Sequence, residues 1–204
     1  RDSGMHESQC RMWENRVGRS RSFWRHYLPV MRGYFPGRFD WVSPEDVYDA
    51  INLVQPSLIR VEADECTYNL HVIIRFELEV ALIEGGLGVD EVPEAWNAKV
   101  NQYLGLHVPD DAHGCLQDIH WSHGAFGYFP TYALGNLYAA QLFETMLEQV
   151  PDLWGCVERA DFAPVLAWLR DNIHVHGRRK LAHELVRDIT GKDPAPDAYL
   201  AYLE

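Results

Sequence analysis

Three short stretches of this chain bring together residue types that can do chemistry. The first is His6-Glu7-Ser8-Gln9. On a helix Glu7, Arg11 and Glu14 fall along one face, with His6 turned away from it. A carboxylate so placed could ligate zinc or a hard metal, or simply pair with Arg11 one turn on. The second stretch holds Arg60 within Leu58-Ile59-Arg60-Val61, followed by Glu62, Ala63, Asp64 and Glu65. A guanidinium flanked by Ile and Val must be paired, because an unpaired buried charge is expensive. An internal acid such as Asp64 would satisfy it. So would a ligand carboxylate, which Arg grips through two parallel hydrogen bonds.

The third stretch runs from Gly114 to Gly124 and contains Gln117, Asp118, His120 and His123, with Tyr128 and Tyr132 just downstream. Two histidines three apart can chelate a metal on a helix. This concentration of polar, aromatic and glycine residues reads as the wall of a site; a set of satisfied structural histidines is the alternative. Other histidines offer less. His174 and His176 would diverge on a helix, and His183-Glu184 is followed, four after the histidine, by Arg187, which cannot replace an imidazole ligand.

Helices must position these residues. Ser3 can cap a helix through Met5, Met12, Trp13, Val17 and Phe23 that Pro29 would stop, leaving 29–43 as a loop rich in Gly, Pro and aromatics. Ser43-Pro44-Glu45-Asp46 is a strong helix start, and that helix should end before Pro56. Ser57–Glu62 alternates and is β-branched, which predicts a short strand or extended segment. Asp64 then opens a long helix closed by Gly85-Gly86. Further helices are expected at 93–104, 114–122, 131–149, 161–174, 178–190 and 196–203. The expected fold class is mainly α, without repeats, linker or evident domain boundary.

The 204 residues can build a sizeable core, and 47% hydrophobic content marks a globular chain. No apolar run is long enough for a membrane-spanning helix. Four cysteines, Cys10, Cys66, Cys115 and Cys156, lack CxxC spacing and read as reduced thiols of a cytoplasmic protein. A net charge of −12 argues against nucleic acid as a partner. The charge is uneven: residues 1–38 carry eight Arg against three acids, so the remainder carries −17. That asymmetry fits an arginine-rich helix packed on an acidic body, or a cationic lining for an anionic ligand group.

Taken together and in order, His6-Glu7-Ser8-Gln9, Ile59-Arg60-Val61-Glu62-Ala63-Asp64 and Gly114-Cys115-Leu116-Gln117-Asp118-Ile119-His120-Trp121 resemble the signature motifs of the Taq-type carboxypeptidases. These are zinc metallocarboxypeptidases distantly related to angiotensin-converting enzyme, and the likeness extends over essentially the whole chain. The resemblance implies a multi-helix, zincin-like catalytic domain. The family's HExxH helix, source of two zinc-binding imidazoles and the general base, is absent from these residues, as is an Asp-x-Arg-x-Thr motif. The chain therefore looks like the C-terminal portion of a single catalytic domain.

By the same resemblance Glu7 matches the third zinc ligand, and His6 is its neighbour. One carboxylate and two imidazoles leave a coordination position open for water. Arg60 matches the motif arginine, expected to hold the substrate's terminal carboxylate. His120 would hydrogen-bond the substrate or the tetrahedral oxyanion, with Gln117 and Asp118 orienting it. Tyr128 is placed like the tyrosine that polarises the scissile carbonyl, a role that typically contributes on the order of 10²–10³ in rate. The implied cofactor is Zn2+, with Co2+ as its substitute, neither held tightly by this chain alone. The implied partners are peptides, trimmed of single C-terminal residues with broad specificity, and a second copy in a homodimer. By itself the chain should be inactive. The alternative is a helical dimerisation or interaction module without chemistry, using the aromatic loop 33–41.

Overall fold

The computed structural model describes residues 3–204, as ten α-helices with short 3-10 and π-helical turns between them and no strand among the described residues. It divides into two compact units, residues 1–52 with 134–204, and residues 53–133. No helix among the described residues is long and apolar enough to cross a membrane.

The first unit opens with α1 (Gly4–Arg11), which Ser3 precedes without a side-chain capping bond. The expected single helix to Pro29 is instead three segments. A π-helical stretch, Met12–Val17, follows α1, and Gly18 donates to the Trp13 carbonyl five residues back. A Cβ at Gly18 would come within 2.8 Å of the Glu14 carbonyl oxygen, so glycine is required there. Ser20 then caps a new helix, α2 (Arg21–Tyr34), by accepting from the Phe23 amide. Pro29 lies inside α2 rather than ending it. An interior proline costs about 3 kcal/mol. The face formed by Phe23, Tyr27 and Leu28 offsets this: Leu28 is fully buried, and Tyr27 stacks on Phe23 and Phe162.

Helix α3 (Pro44–Ile51) has the expected start, a reciprocal capping box between Ser43 and Asp46. Helices α7 (Leu153–Glu158), α8 (Ala163–Asn172), α9 (Ala182–Thr190) and α10 (Asp197–Leu203) complete this unit with most of α6 (Pro130–Gln149). Their apolar faces meet in a core of Met12, Val17, Leu142, Phe143, Met146, Val157, Val165, Leu169 and Val186.

The second unit is built on α4 (Glu65–Ile83), packed against α5 (Val92–Leu104) through Ile74, Leu78, Trp96 and Val100. Asp64 caps α4 by accepting from the amides of Cys66 and Thr67, and Gly85 beyond its end has a φ of +76°. Ser57–Glu62 is not a strand: Ile59 is extended, and Arg60–Glu62 forms one 3-10 turn. The helix expected at 114–122 is also missing. That segment is a run of turns ending in a 3-10 turn, Trp121–His123, and tertiary demands on Gln117 and Asp118 explain why.

Candidate active site

The second unit places Arg60, Gln117, Asp118, His120 and Tyr128 in one neighbourhood. Asp118 sits between two arginines. Arg60 reaches it through Nη2 at 2.6 Å and Nε at 3.2 Å, and Arg75 through Nε at 2.7 Å. The remaining Arg60 nitrogen, Nη1, donates to the Tyr68 hydroxyl at 2.9 Å. Arg60 is 5% exposed and Arg75 0%. The internal partner of Arg60 is thus Asp118, not Asp64, whose carboxylate is spent on its own helix cap.

Gln117 locks the same array. Its carbonyl oxygen accepts from the Arg60 amide at 2.9 Å and from Arg75 Nη2 at 2.8 Å. Its amide nitrogen donates to the Leu58 and His113 carbonyls, both at 3.0 Å. A helix through 114–122 would carry Gln117 and Asp118 out of this reach, so two buried guanidiniums override the local propensity.

Charge and burial set the protonation states. Burial raises the Asp118 carboxyl, but the hydrogen bond from Arg60 and the charges of Arg75 and Arg60 more than offset it and hold it low. Burial opposes the Arg60 charge, yet Asp118 and Tyr68 leave the guanidinium above its ordinary value. Arg75 lies deeper, and burial, with the like charge of Arg60, pulls it down to about 10. His71, one turn before Arg75 and fully buried, is pushed to about 4 by burial and then by the two arginines.

His120 stands beside the array at the start of the 3-10 turn. Its Nε2 lies 3.0 Å from the Tyr132 hydroxyl, while Nδ1 is buried without a hydrogen bond, 3.9 Å from Asp118 Oδ1. Tyr132, not Gln117, makes the direct orienting contact. Burial lowers the imidazole's pKa, Asp118 opposes, and Arg60, Arg75 and His123 add to the lowering, so the ring is neutral at pH 7. Its ring also packs on Phe129 at 4.3 Å and faces Tyr128 at 5.7 Å. Tyr128, 37% exposed, follows Gly127, whose φ is +75°. A neutral imidazole and a half-exposed phenol near buried positive charge are suited to donating hydrogen bonds to a developing oxyanion.

Glu7 lies in the first unit, on α1. It is half-buried, with its carboxylate 3.4 Å from Arg11, which also pairs with Glu14 at 3.7 Å. The close approach of α6 defines its surroundings: a Cβ at Gly135 would meet Glu7 Cγ at 2.6 Å. A carboxylate so confined fits one ligand of a divalent metal. Among the described residues no three His, Cys, Asp or Glu side chains gather to complete such a site. His123 is exposed beyond His120 in the 3-10 turn rather than on a helix face. His6 is exposed as well.

Arg75, Tyr68, His71 and Glu79 were not singled out by motif, whereas Tyr132 was part of the expected site wall. A signal for three of them exists: His71, Arg75 and Glu79 recur every four residues inside an apolar helix, a polar stripe where the core should be.

Residues 1–204 match the family described as Carboxypeptidase Taq (M32) metallopeptidase. The chain is 50% identical over 201 residues to Thermostable carboxypeptidase 1 of Thermus thermophilus, covering 98% of this chain and 39% of that protein. It is 46% identical to Carboxypeptidase 1 of Bacillus subtilis over 93% of this chain and 38% of that one. The crystal structure of an M32 carboxypeptidase from Deinococcus radiodurans superposes with a TM-score of 0.94 at 46% identity, over 98% of this chain and 41% of that one. The chain therefore spans about two fifths of the length of the relatives it matches, and it belongs to the Carboxypeptidase Taq (M32) metallopeptidase family.

Proposed function

We propose that this chain supplies the substrate-holding part of a metallocarboxypeptidase catalytic domain that releases single C-terminal residues from peptides with broad specificity. The observation that carries this reading is the Arg60–Asp118–Arg75 array: two buried guanidiniums share one carboxylate, leaving a net positive charge beside His120 and Tyr128. A peptide's terminal carboxylate is the anion such a charge would select.

Arg60 spends its fork on Asp118, so it attracts that carboxylate as a charge held in place, and a direct two-bond grip requires Asp118 to yield. Tyr128 donates to the oxyanion formed when the last peptide carbonyl is attacked, and His120, whose Nε2 is engaged by the Tyr132 hydroxyl, adds a second donor when that contact yields to substrate. Glu7, paired with Arg11 at 3.4 Å, would contribute one carboxylate oxygen to a divalent metal, zinc or cobalt. When bound, the metal supplies Lewis acidity toward water and the scissile carbonyl. The other ligands and the general base would come from an HExxH segment outside these 204 residues, so the chain alone is inactive.

The test is a longer protein carrying this chain, assayed on peptides with free and with amidated C termini. Arg60→Gln should erase much of the preference for the free carboxylate, and Tyr128→Phe should lower kcat by on the order of 10²-fold. Unchanged discrimination and unchanged kcat would refute the assignment. Glu7→Ala should lower metal content; full occupancy would remove its role.

The exposed aromatics Tyr34, Phe35 and Trp41 favour a second reading, a helical module for subunit contact. A homodimer formed through them should fall apart on Trp41→Ser in sedimentation equilibrium; an unaltered dimer would place the contact elsewhere.

A further inference from the structure

The arginine surplus near the N-terminus is not used by the catalytic reading. In the first unit it lines a cleft of about 430 Å³, with Arg16, Arg19, Arg21 and Arg25 in its walls beside Asn15 and Trp154. Among the described residues four arginines and no acid line this cleft, in a chain of net charge −12.

Each arginine is positioned. Arg21 stacks 3.6 Å over the Tyr48 ring and Arg16 3.6 Å over the Tyr202 ring. Face stacking fixes the guanidinium plane, and for the exposed Arg21 it leaves the N–H donors at the edge, where an oxyanion is met. Arg19 is anchored through Nη1 to the Ile51 carbonyl at 2.8 Å. Arg25 is partly offset by Glu158 at 3.5 Å and Glu45 at 3.8 Å.

Two backbone features converge on the same place. The cleft holds the N-terminus of the 14-residue helix α2, whose first-turn amides favour an anion. It also holds the π-helical Met12–Val17, a geometry enriched at functional sites. That stretch places Asn15 in the wall, where it is 7% exposed and its Oδ1 has no hydrogen-bond partner. The orphaned Oδ1 is an acceptor, so it would take a hydroxyl or amino donor from the organic part of a ligand rather than its phosphate.

We propose that this cleft binds a small organic phosphate. Its volume falls in the range of small-molecule sites, larger than a bare inorganic ion would fill. A phosphate dianion can engage several arginines at once, and Trp154 offers an apolar wall for the organic part.

The test is calorimetric titration of the 204-residue chain with adenosine diphosphate, inorganic phosphate and adenosine. Adenosine diphosphate should bind saturably and weaken with salt, inorganic phosphate should bind more weakly, and adenosine should not bind. Arg21 is exposed and its replacement leaves the core intact. Arg21→Glu should therefore weaken adenosine diphosphate by at least about tenfold, the loss of one charge-assisted bond. Arg38→Glu, the same charge change outside the cleft, should leave it unchanged. No saturable binding, or equal effects of the two variants, would overturn the proposal. Binding should persist in a longer protein carrying this chain; its loss there would mean that other parts of that protein fill the cleft, and would overturn it too.

Discussion

Replacing Asp118 by Asn is the sharpest probe of the arginine array, because it removes one charge and almost no volume. Asp118 receives two short charge-assisted bonds, 2.6 Å from Arg60 and 2.7 Å from Arg75. Each such bond contributes about 1.5–3 kcal/mol net. All three side chains are nearly buried, at 6%, 1% and 11% exposure for Arg60, Arg75 and Asp118, so solvent screens little of this. Breaking a buried pair while leaving its partner charged costs about 3–5 kcal/mol. The two routes agree on about 4 kcal/mol, a factor of about 10³ in the unfolding equilibrium. That is a large share of the 5–15 kcal/mol typical of a domain.

Urea unfolding of the chain, followed by circular dichroism, measures it. The arginines hold the Asp118 carboxyl below its ordinary pKa. Its stabilisation is therefore fully present above the unfolded value of about 3.9 and is lost as pH falls through the lower folded value. Asp118→Asn should show the deficit at neutral pH and converge on the parent in acid. A loss under about 1 kcal/mol at pH 7, or a deficit that persists in acid, would show that the array is not what holds these residues.

Two further perturbations probe the surroundings. His71, pushed to about 4, stays neutral in the fold while the unfolded chain takes up a proton near pH 6.5, so stability should fall by about 3 kcal/mol between pH 6.5 and 4. A proton NMR titration of the ring checks this, and a midpoint near 6.5 would refute the burial argument. Gly135→Ala would force a methyl within 2.6 Å of Glu7 Cγ and 3.1 Å of the Glu7 carbonyl carbon. It should cost about 1–3 kcal/mol and lower the metal content of a longer protein carrying this chain; wild-type stability would mean that α1 and α6 have room to separate.

What the sequence made legible is what local chemistry decides. The Ser43–Asp46 box, the Asp64 cap and the glycine stop after α4 each need only a few neighbouring residues, and each stands where the pattern put it. Pro29 misled because its penalty is local while the buried face that outweighs it belongs to the whole helix. The helix expected at 114–122 failed for a reason 43 and 58 residues away, the guanidiniums of Arg75 and Arg60. The two-unit division was equally hidden. One boundary falls after Asn52 and the other inside the continuous helix α6, so no linker composition marks either.

The catalytic candidates themselves sit on a loop, yet their placement is a property of α4. Arg75 captures Gln117 and Asp118 at one end of that loop, and Glu79 accepts from the Trp121 indole at 2.9 Å and the Gly127 amide at 3.0 Å at the other. His120 lies between these two anchors, and Tyr128 follows the second directly. Tyr68, two turns before Arg75, steadies Arg60. A polar stripe that would be a defect in a purely structural core therefore fixes these candidate residues at both ends of their loop. This explains why buried charge is tolerated here, although apolar residues of similar volume would give equal or greater stability. What the charges add is a fixed position for His120 and Tyr128, which an apolar core could not impose on a loop lacking regular secondary structure.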